Sequence, residues 1–464
     1  MKLFLSSLFL FCTFALHASE KPNILFILVD DQRFDNLSCY GNEIFKTPEI
    51  DKIAANGVRF ENVFITTPIC AASRASIFSG LFETTHGFTF GKNKSLSTKI
   101  INNSYPALLK ANGYKTGFVG KFGVLLEKNK PMLKQMFDAY KPHHRPFMIK
   151  MKDGSRKHTD VVSGEDAMKM MDDFKDSPFC ISVSFCSTHA DDKNHKPGMG
   201  HFPYPEAVKD MYKDVTFPMP KFDTKEYHKT LPSFMTDTKT SMNRFRYHWR
   251  WDTKEKYQAN MQAYARMTSG IDHIVGRMLK ELKDLNLRKK TIVIYTADNG
   301  FSMGKRGFAG KWNHFEESLR VPLIIHDPRL EKPAAQTRSE ITLNIDLTAT
   351  MLELAGIKQP SHYQGKSLVP FLSGKTPTTW RDSFFCEHRM NNTKIPKWQG
   401  IRGSKYTYAN YYENNYEFLY DLQKDPDQLN NLATNPEYST ILKKMKDETE
   451  ALEKKYLNNP IRKP

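Results

Sequence analysis

"NILFILVDD", residues 23 to 31, carries an unbroken apolar stretch after Asn23 and ends in two acids. A short, β-rich run without polar alternation predicts a strand buried on both faces, as in mostly parallel sheets. "TIVIYTADNG" (291 to 300) repeats the pattern and ends in Asp298-Asn299, and "FCISVSF" (179 to 185) gives a third run of this kind. Helical patterns alternate with such runs. "EIDKIAANGVRF" predicts a helix ending near Gly57, and "SYPALLKANGYKTGFVGKFG" repeats the helix–Gly–strand order. "GEDAMKMMDDFKD" precedes one strand, and the long amphipathic stretch "YQANMQAYARMTSGIDHIVGRMLKELKDL" precedes another. The reading is α/β, a large mostly parallel sheet sandwiched by helices. Residues 187 to 255 break the rhythm as a long insertion rich in His, Lys, Pro, Tyr and Met. Beyond 375, "FFCEHR", "GIRGSKYTYANYY" and "YEFLYDLQKDPDQLNNLA" predict a small antiparallel sheet, with a closing amphipathic helix after it.

Lys2 is followed by the apolar run "LFLSSLFLFCTFA" and the small-residue stop "LHASE", which predicts a signal peptide over 1 to 18 and an exported, periplasmic or secreted protein. No later stretch approaches the roughly 20 apolar residues a bilayer crossing needs, so no stable membrane insertion is expected. The division expected is a signal peptide (1–18), a catalytic domain (19–374) and a C-terminal subdomain (375–464). Lys and Arg number 68 against 51 Asp and Glu, a net charge of +17 over 464 residues. In an exported chain that favours a polyanionic partner over nucleic acid, though a generally basic solvated surface fits composition equally well. Past the leader stand Cys39, Cys70, Cys180, Cys186 and Cys386, with neither a disulfide framework nor a zinc spacing. Cys180 and Cys186 read as buried thiols on one strand face.

In a parallel sheet the carboxyl ends of the strands share one edge, where ligands bind. Asp30-Asp31 and Asp298-Asn299 would converge there, and carboxylates with an amide oxygen suit calcium, or magnesium with more waters. Either pair alone also suits a cap or a turn. "PICAASRASIFSG" (68 to 80) has helical spacing that stops at Gly80. It sets Cys70 at a helix N-terminus with Arg74 one turn on, which together favour an oxyanion. Cys70 reads either as a thiolate nucleophile or as a packed small residue.

These residues resemble the type I sulfatases, whose signature cysteine is oxidised to formylglycine. The likeness extends through "PNILFILVDD", "GYKTGFVGKFG", "SFCSTH", "ADNG…GKW…EESLRVPLII", "NIDLTATMLELAG" and "LYDLQKDPDQLNNLA", in the family's order. It implies an alkaline-phosphatase-like fold with a smaller C-terminal subdomain. It further implies a sulfuric ester hydrolase matured by a formylglycine-generating enzyme. The metal ligands would be Asp30, Asp31, Asp298 and Asn299, with formylglycine at position 70 facing the ion. One hydroxyl of the hydrated aldehyde would attack sulfur and displace an alcohol. The other would lose its proton and expel sulfate, a displacement split in two. Arg74 would orient the diol, Lys121 and Lys311 would hold sulfate oxygens, and His189 would protonate the leaving oxygen. Read without the resemblance, Lys121 and Lys311 could be surface lysines and His189 a turn residue.

Three positions depart from the family pattern. Ala72 replaces a proline, Ser79 replaces a threonine, and "GKFGVL" stands for "GKWHLG", so Gly123 occupies a histidine's place. The proton acceptor for breaking down the sulfated intermediate is then unassigned, with His86 as one candidate. A phosphatase or phosphodiesterase of the same superfamily would present Ser or Thr and more histidine ligands. A non-catalytic polyanion binder would leave the strand-end acids unexplained. The substrate class expected is a sulfated carbohydrate, from a glycosaminoglycan or an algal polysaccharide. "NRFRYHWRW" (243 to 251) offers Arg244, Arg246 and Arg250 among aromatic residues as substrate-binding candidates. The alternative is that those aromatics pack in the core.

Overall fold

A computed structural model describes residues 21–90, 95–194, 201–330 and 336–462. The expected signal peptide lies outside the described residues.

Eight strands form the main sheet: β1 (Asn23–Val29), β2 (Val58–Phe60), β3 (Lys115–Gly120), β4 (Ala139–Pro142), β5 (Phe179–Ser184), β6 (Thr291–Ala297), β7 (Leu323–His326) and β8 (Gln336–Arg338). Their spatial order is β8-β2-β7-β6-β1-β5-β3-β4. Only β7 runs against its neighbours. Every residue of β1, β5 and β6 is buried, as the unbroken apolar runs require.

Helices cover both faces. On one lie α1 (Pro48–Ala55), α4 (Thr159–Asp173) and the long α6 (Lys254–Asp284), which packs against both of the others. On the other lie α2 (Cys70–Ser79), α3 (Tyr105–Ala111) and α7 (Asp346–Leu354). Cys180 is buried within β5, whereas Cys186 lies just past the strand's end and is also buried. Neither is in a disulfide.

The insertion contains short helices, and "NRFRYHWRW" forms most of α5 (Met242–Arg250), with the Ser241 hydroxyl accepting from the Arg244 amide as its cap. The four-stranded C-terminal sheet spans Ser383 to Asp421 in sequential antiparallel order. Helix α8 (Ser439–Leu457) packs on it. Among the described residues no helix is long and apolar enough to cross a membrane.

Candidate active site

Parallel pairing builds the site. Val29 on β1 is in register with Ala297 on β6, so the two acidic pairs leave the sheet side by side. The Asp298 amide donates to Val29 O (2.9 Å), and the Asp31 amide faces Asp298 Oδ1 (3.3 Å). Asn299 Nδ2 donates to Asp31 Oδ1 at 2.6 Å, which turns the amide oxygen the other way. Strands β5 and β3, next along the sheet, end at the same edge. Lys121 follows β3, with its amide on Ser184 O (2.8 Å), and His189 follows β5.

Helix α2 begins at Cys70 and stops at Gly80, whose φ of 68° closes it in the left-handed conformation. All ten of its residues are buried. The Cys70 sulfur and carboxylate oxygens of Asp30 and Asp298 lie within 4.8 Å of one another. The other side of Cys70 packs on Ile69, Ala72, Trp312 and Ile395. Arg74 is buried as well. Its Nε donates to Asp298 Oδ2 (2.7 Å), and Nη1 donates to Lys121 O (2.6 Å) and to Ser184 Oγ. Nη2 has no partner among the described residues.

Charges balance inside this dry edge. Lys121 pairs with Asp30, and Lys311 with Asp31. Burial would raise the Asp30 carboxyl, but Lys121, His189, Lys311 and Arg74 hold it well below the usual carboxylate range. Burial and the Asp30 charge push Asp298 up to about 6, against the pull of Arg74, Lys311 and Lys121. Burial favours uncharged Lys121 and Lys311, yet the carboxylates prevail and both are held above the normal lysine value. His189 Nδ1–H donates to Ala190 O at 2.6 Å, which leaves Nε2 facing Asp31 Oδ2 at 3.8 Å and Asp192 Oδ2 at 3.9 Å. Burial lowers its pKa despite the two acids at the strand end.

The donor set fits a hard divalent cation. Asp30 Oδ1 and Asn299 Oδ1 are buried without a hydrogen bond among the described residues, Asp30 Oδ1 having only Lys311 Nζ at 4.0 Å, an arrangement that a cation between the two oxygens would relieve. A thiolate at position 70 would add a soft ligand, whereas an oxygen there makes the set uniformly hard.

The structure thus brings together Asp30, Asp31, Cys70, Arg74, Lys121, His189, Asp298, Asn299 and Lys311. The three insertion arginines separate. Arg244 is turned away, with Nη1 donating to Gly307 O (2.6 Å) and Nη2 near His248 (3.1 Å). Arg250 is fully buried and pairs with Asp192 Oδ1 at 2.7 Å. Only Arg246 remains part-exposed at the site, bonded to Asp192 Oδ2 (3.1 Å) and lying 5.2 Å from the ring centre of Trp312. His86 is buried behind α2. Its Nδ1 accepts from the Phe88 amide, so Nε2 donates to Ser76 Oγ (3.1 Å), and burial with the Arg462 charge lowers its pKa to about 3. It is poorly placed to take a proton at residue 70.

Sequence reasoning missed Asp192, Asn243 and Trp312. Asn243 Nδ2 donates to Lys311 O (2.9 Å) and so braces that loop from α5. The Trp312 carbonyl accepts from Trp398 Nε1 (2.8 Å) of the C-terminal sheet, which ties that sheet to the nucleophile's wall. "GKW" placed Trp312 beside a candidate lysine, but the other two depend on how α5 docks.

The sulfatase family model matches residues 22–357, and the model of the N-sulphoglucosamine sulphohydrolase C-terminal region matches 304–455. An N-acetylglucosamine-6-O-sulfatase of Bacteroides thetaiotaomicron is 28% identical, covering 95% of this chain and 88% of that protein. A structure solved with its substrate D-glucosamine-2-N,6-O-disulfate superposes with a TM-score of 0.77 at 25% identity, covering 96% of this chain and 100% of that one. A phosphonate monoester hydrolase of Agrobacterium radiobacter, at 22% identity and a TM-score of 0.79, covers 94% of this chain and 96% of its own and shares the fold. With the family match running through both acidic strand ends and the cysteine helix, this chain belongs to the type I sulfatases and hydrolyses sulfate esters.

Proposed function

We propose that the protein is an exported sulfatase acting on sulfated carbohydrate, with formylglycine formed from Cys70 and a calcium ion held by Asp30, Asp31, Asp298 and Asn299. The observation that carries this is the meeting of the Cys70 sulfur with Asp30 and Asp298 within 4.8 Å, beside two orphaned oxygens. Carbohydrate is favoured because the glucosamine-directed relative and the disulfate-bound structure both align along nearly the whole chain. Export rests on the leader-like residues 1 to 18, and the domain boundary is proposed near 375, ahead of the antiparallel sheet.

The residue-70 diol attacks sulfur through one oxygen, whose proton passes to a carboxylate of the Asp30–Asp298 pair beside it, as the bond from sulfur to the sugar oxygen breaks. His189 faces the leaving oxygen through Nε2 and, in the doubly protonated form that the neighbouring Asp31 and Asp192 favour, gives up its Nε2 proton to that oxygen while Nδ1–H stays on Ala190 O. The second hydroxyl then gives up its proton, the carbon–oxygen bond to sulfate breaks, and the aldehyde re-forms. Lys121, Lys311 and the spare Nη2 of Arg74 offer fixed donors to the sulfate oxygens in a water-poor site. A bound divalent cation would supply added stabilisation of charge on those oxygens. Gly123 stands where the family pattern has a histidine, so the proton of the second step passes to solvent or to His189 after its first transfer.

The test combines peptide mass spectrometry at residue 70 with a panel of defined sugar sulfates, glucosamine 6-sulfate included. The expected result is oxygen in place of sulfur at Cys70 and turnover of at least one sugar sulfate. Full activity with unmodified cysteine, or turnover restricted to aryl sulfates, would refute it.

A further inference from the structure

Asp192 is a carboxylate beside the proposed acid that nothing in the reaction above uses. Two arginines hold it from different directions. Arg250 Nη2 grips Oδ1 at 2.7 Å from a fully buried position, and Arg246 Nη2 grips Oδ2 at 3.1 Å. Arg250 is itself fixed from behind, since its carbonyl accepts from Asn260 Nδ2 of α6 at 2.7 Å and its guanidinium lies 4.6 Å from the Trp249 ring centre. The carboxylate keeps 23% of its side-chain surface exposed, although the two guanidinium groups could have closed over it. Its Oδ2 stands 3.9 Å from His189 Nε2. A carboxylate has about four lone-pair positions, and the two arginine bonds leave some of them open.

We propose that Asp192 reads the substrate, accepting a hydrogen bond from the sugar hydroxyl that flanks the sulfate ester. The inference rests on the carbohydrate reading and on His189 as the group facing the leaving oxygen. If His189 Nε2 lies within hydrogen-bond reach of the leaving oxygen, Asp192 Oδ2 lies one substituent further along the same ring. Vicinal ring oxygens stand somewhat closer together than the 3.9 Å between His189 Nε2 and Asp192 Oδ2, so two groups at that spacing can each reach one of a pair of adjacent oxygens. A hydroxyl can donate to the open lone pairs of the carboxylate, whereas a sulfate or a uronate at that carbon has no proton to give Asp192. Arg246, part-exposed along the same edge, offers a donor to the hydroxyl's oxygen. Arg250 is a positioning residue, because it touches only Asp192 and the protein behind it.

A site built around a hydroxyl rejects the analogue lacking it far more strongly than an apolar pocket rejects a missing methylene. For a carboxylate that is partly open to water, at least about a tenfold preference is expected. The experiment compares kcat/KM for the best sugar monosulfate of the panel with its analogue deoxygenated at the carbon beside the ester. Wild type should prefer the hydroxyl substrate by tenfold or more. In Asp192→Asn, which keeps the shape and loses an acceptor oxygen, that ratio should fall to about threefold or less. An unchanged ratio with both rates lowered would mean that Asp192 acts only through His189 or the fold, and would overturn the proposal. Wild type that hydrolyses both sugars equally overturns it too, and this arm stands even if the variant does not fold. Wild type inert on every sugar sulfate but active on 4-nitrophenyl sulfate would refute the carbohydrate reading itself, a different outcome from either.

Discussion

Gly123 and Arg74 lie in direct contact, such that a β-carbon on Gly123 would stand 2.7 Å from Arg74 Cδ. Gly123 also has φ of +76°, where an L side chain is strained. In this chain a side chain at position 123, the histidine of the family pattern included, would require the Arg74 stem to shift. The contact fixes the stem of an arginine whose Nε grips Asp298. Gly123→Ala should cost about 1–3 kcal/mol in stability from strain alone. It should also lower kcat at least about tenfold, by displacing Arg74 from the transition state it faces. Gly123→His should do the same rather than improve turnover. Urea unfolding and steady-state kinetics on one sulfate ester check both, and a faster Gly123→His would show that the contact with Arg74 is dispensable.

Three carboxylates at the strand ends are met by Arg74, Lys121 and Lys311, yet Asp30 Oδ1 and Asn299 Oδ1 still lack a hydrogen bond among the described residues. Calcium should therefore bind the folded protein and stabilise it, by about 2.7 kcal/mol at a hundredfold excess over its dissociation constant. The measurement is Tm in chelator against Tm with calcium restored. Asn299→Ala should abolish most of that shift while the chelated protein keeps the Tm of chelated wild type to within a few degrees. An equal calcium shift in wild type and variant would place the ion elsewhere.

Glu83 gives a pH signature away from the reacting groups. It is buried, and burial together with the Glu387 charge pushes its pKa up to about 8. The folded chain thus holds a proton there that the unfolded chain releases near the model-peptide value of 4.5. The stabilisation is complete below that value, declines as pH rises between the two, and is gone above about 8. Glu83→Gln removes this dependence. Its stability relative to wild type should rise by more than about 1 kcal/mol between pH 5 and pH 8.5. Urea midpoints at the two values test this, and a parallel pH dependence in both proteins would mean that Glu83 stays ionised.

The parts of the site on strand ends were legible because one local pattern carries both facts. An apolar run says buried strand, and the acids after it say carboxyl edge. Asp30, Asp31, Asp298 and Asn299 follow from that alone, and the register of Val29 with Ala297 makes them neighbours. The direction of β7 was not legible, since "LIIH" in a buried antiparallel strand has the same composition as in a parallel one. Asp192 was hidden for a different reason. Its role depends on a helix 50 or so residues away, and α5 buries Arg244 and Arg250 while leaving Phe245 exposed, the reverse of what an apolar stripe in sequence would indicate.

That same helix yields a separation of effects among three arginines that sequence treats as equivalent. Arg244 and Arg250 are buried, and each satisfies inward partners, Gly307 O for one and Asp192 for the other. Arg246 is the one that reaches the open edge of the site, beside Trp312. Arg250→Ala should cost about 3 kcal/mol, the low end for breaking a buried pair because Asp192 is partly exposed. Arg244→Ala should also lower the unfolding midpoint, since it leaves the Gly307 carbonyl without its donor, at about 1–3 kcal/mol. Arg246→Ala should leave the midpoint within about 0.5 kcal/mol of wild type, as a part-exposed ion pair contributes little. Its effect should fall on KM for a sugar sulfate, raised roughly tenfold, with a weaker effect at high salt where exposed charge is screened. Midpoints and KM for the three variants decide the matter together. If Arg246→Ala unfolds like the other two, or if all three raise KM alike with stability intact, the assignment of binding to Arg246 and support to its neighbours is wrong.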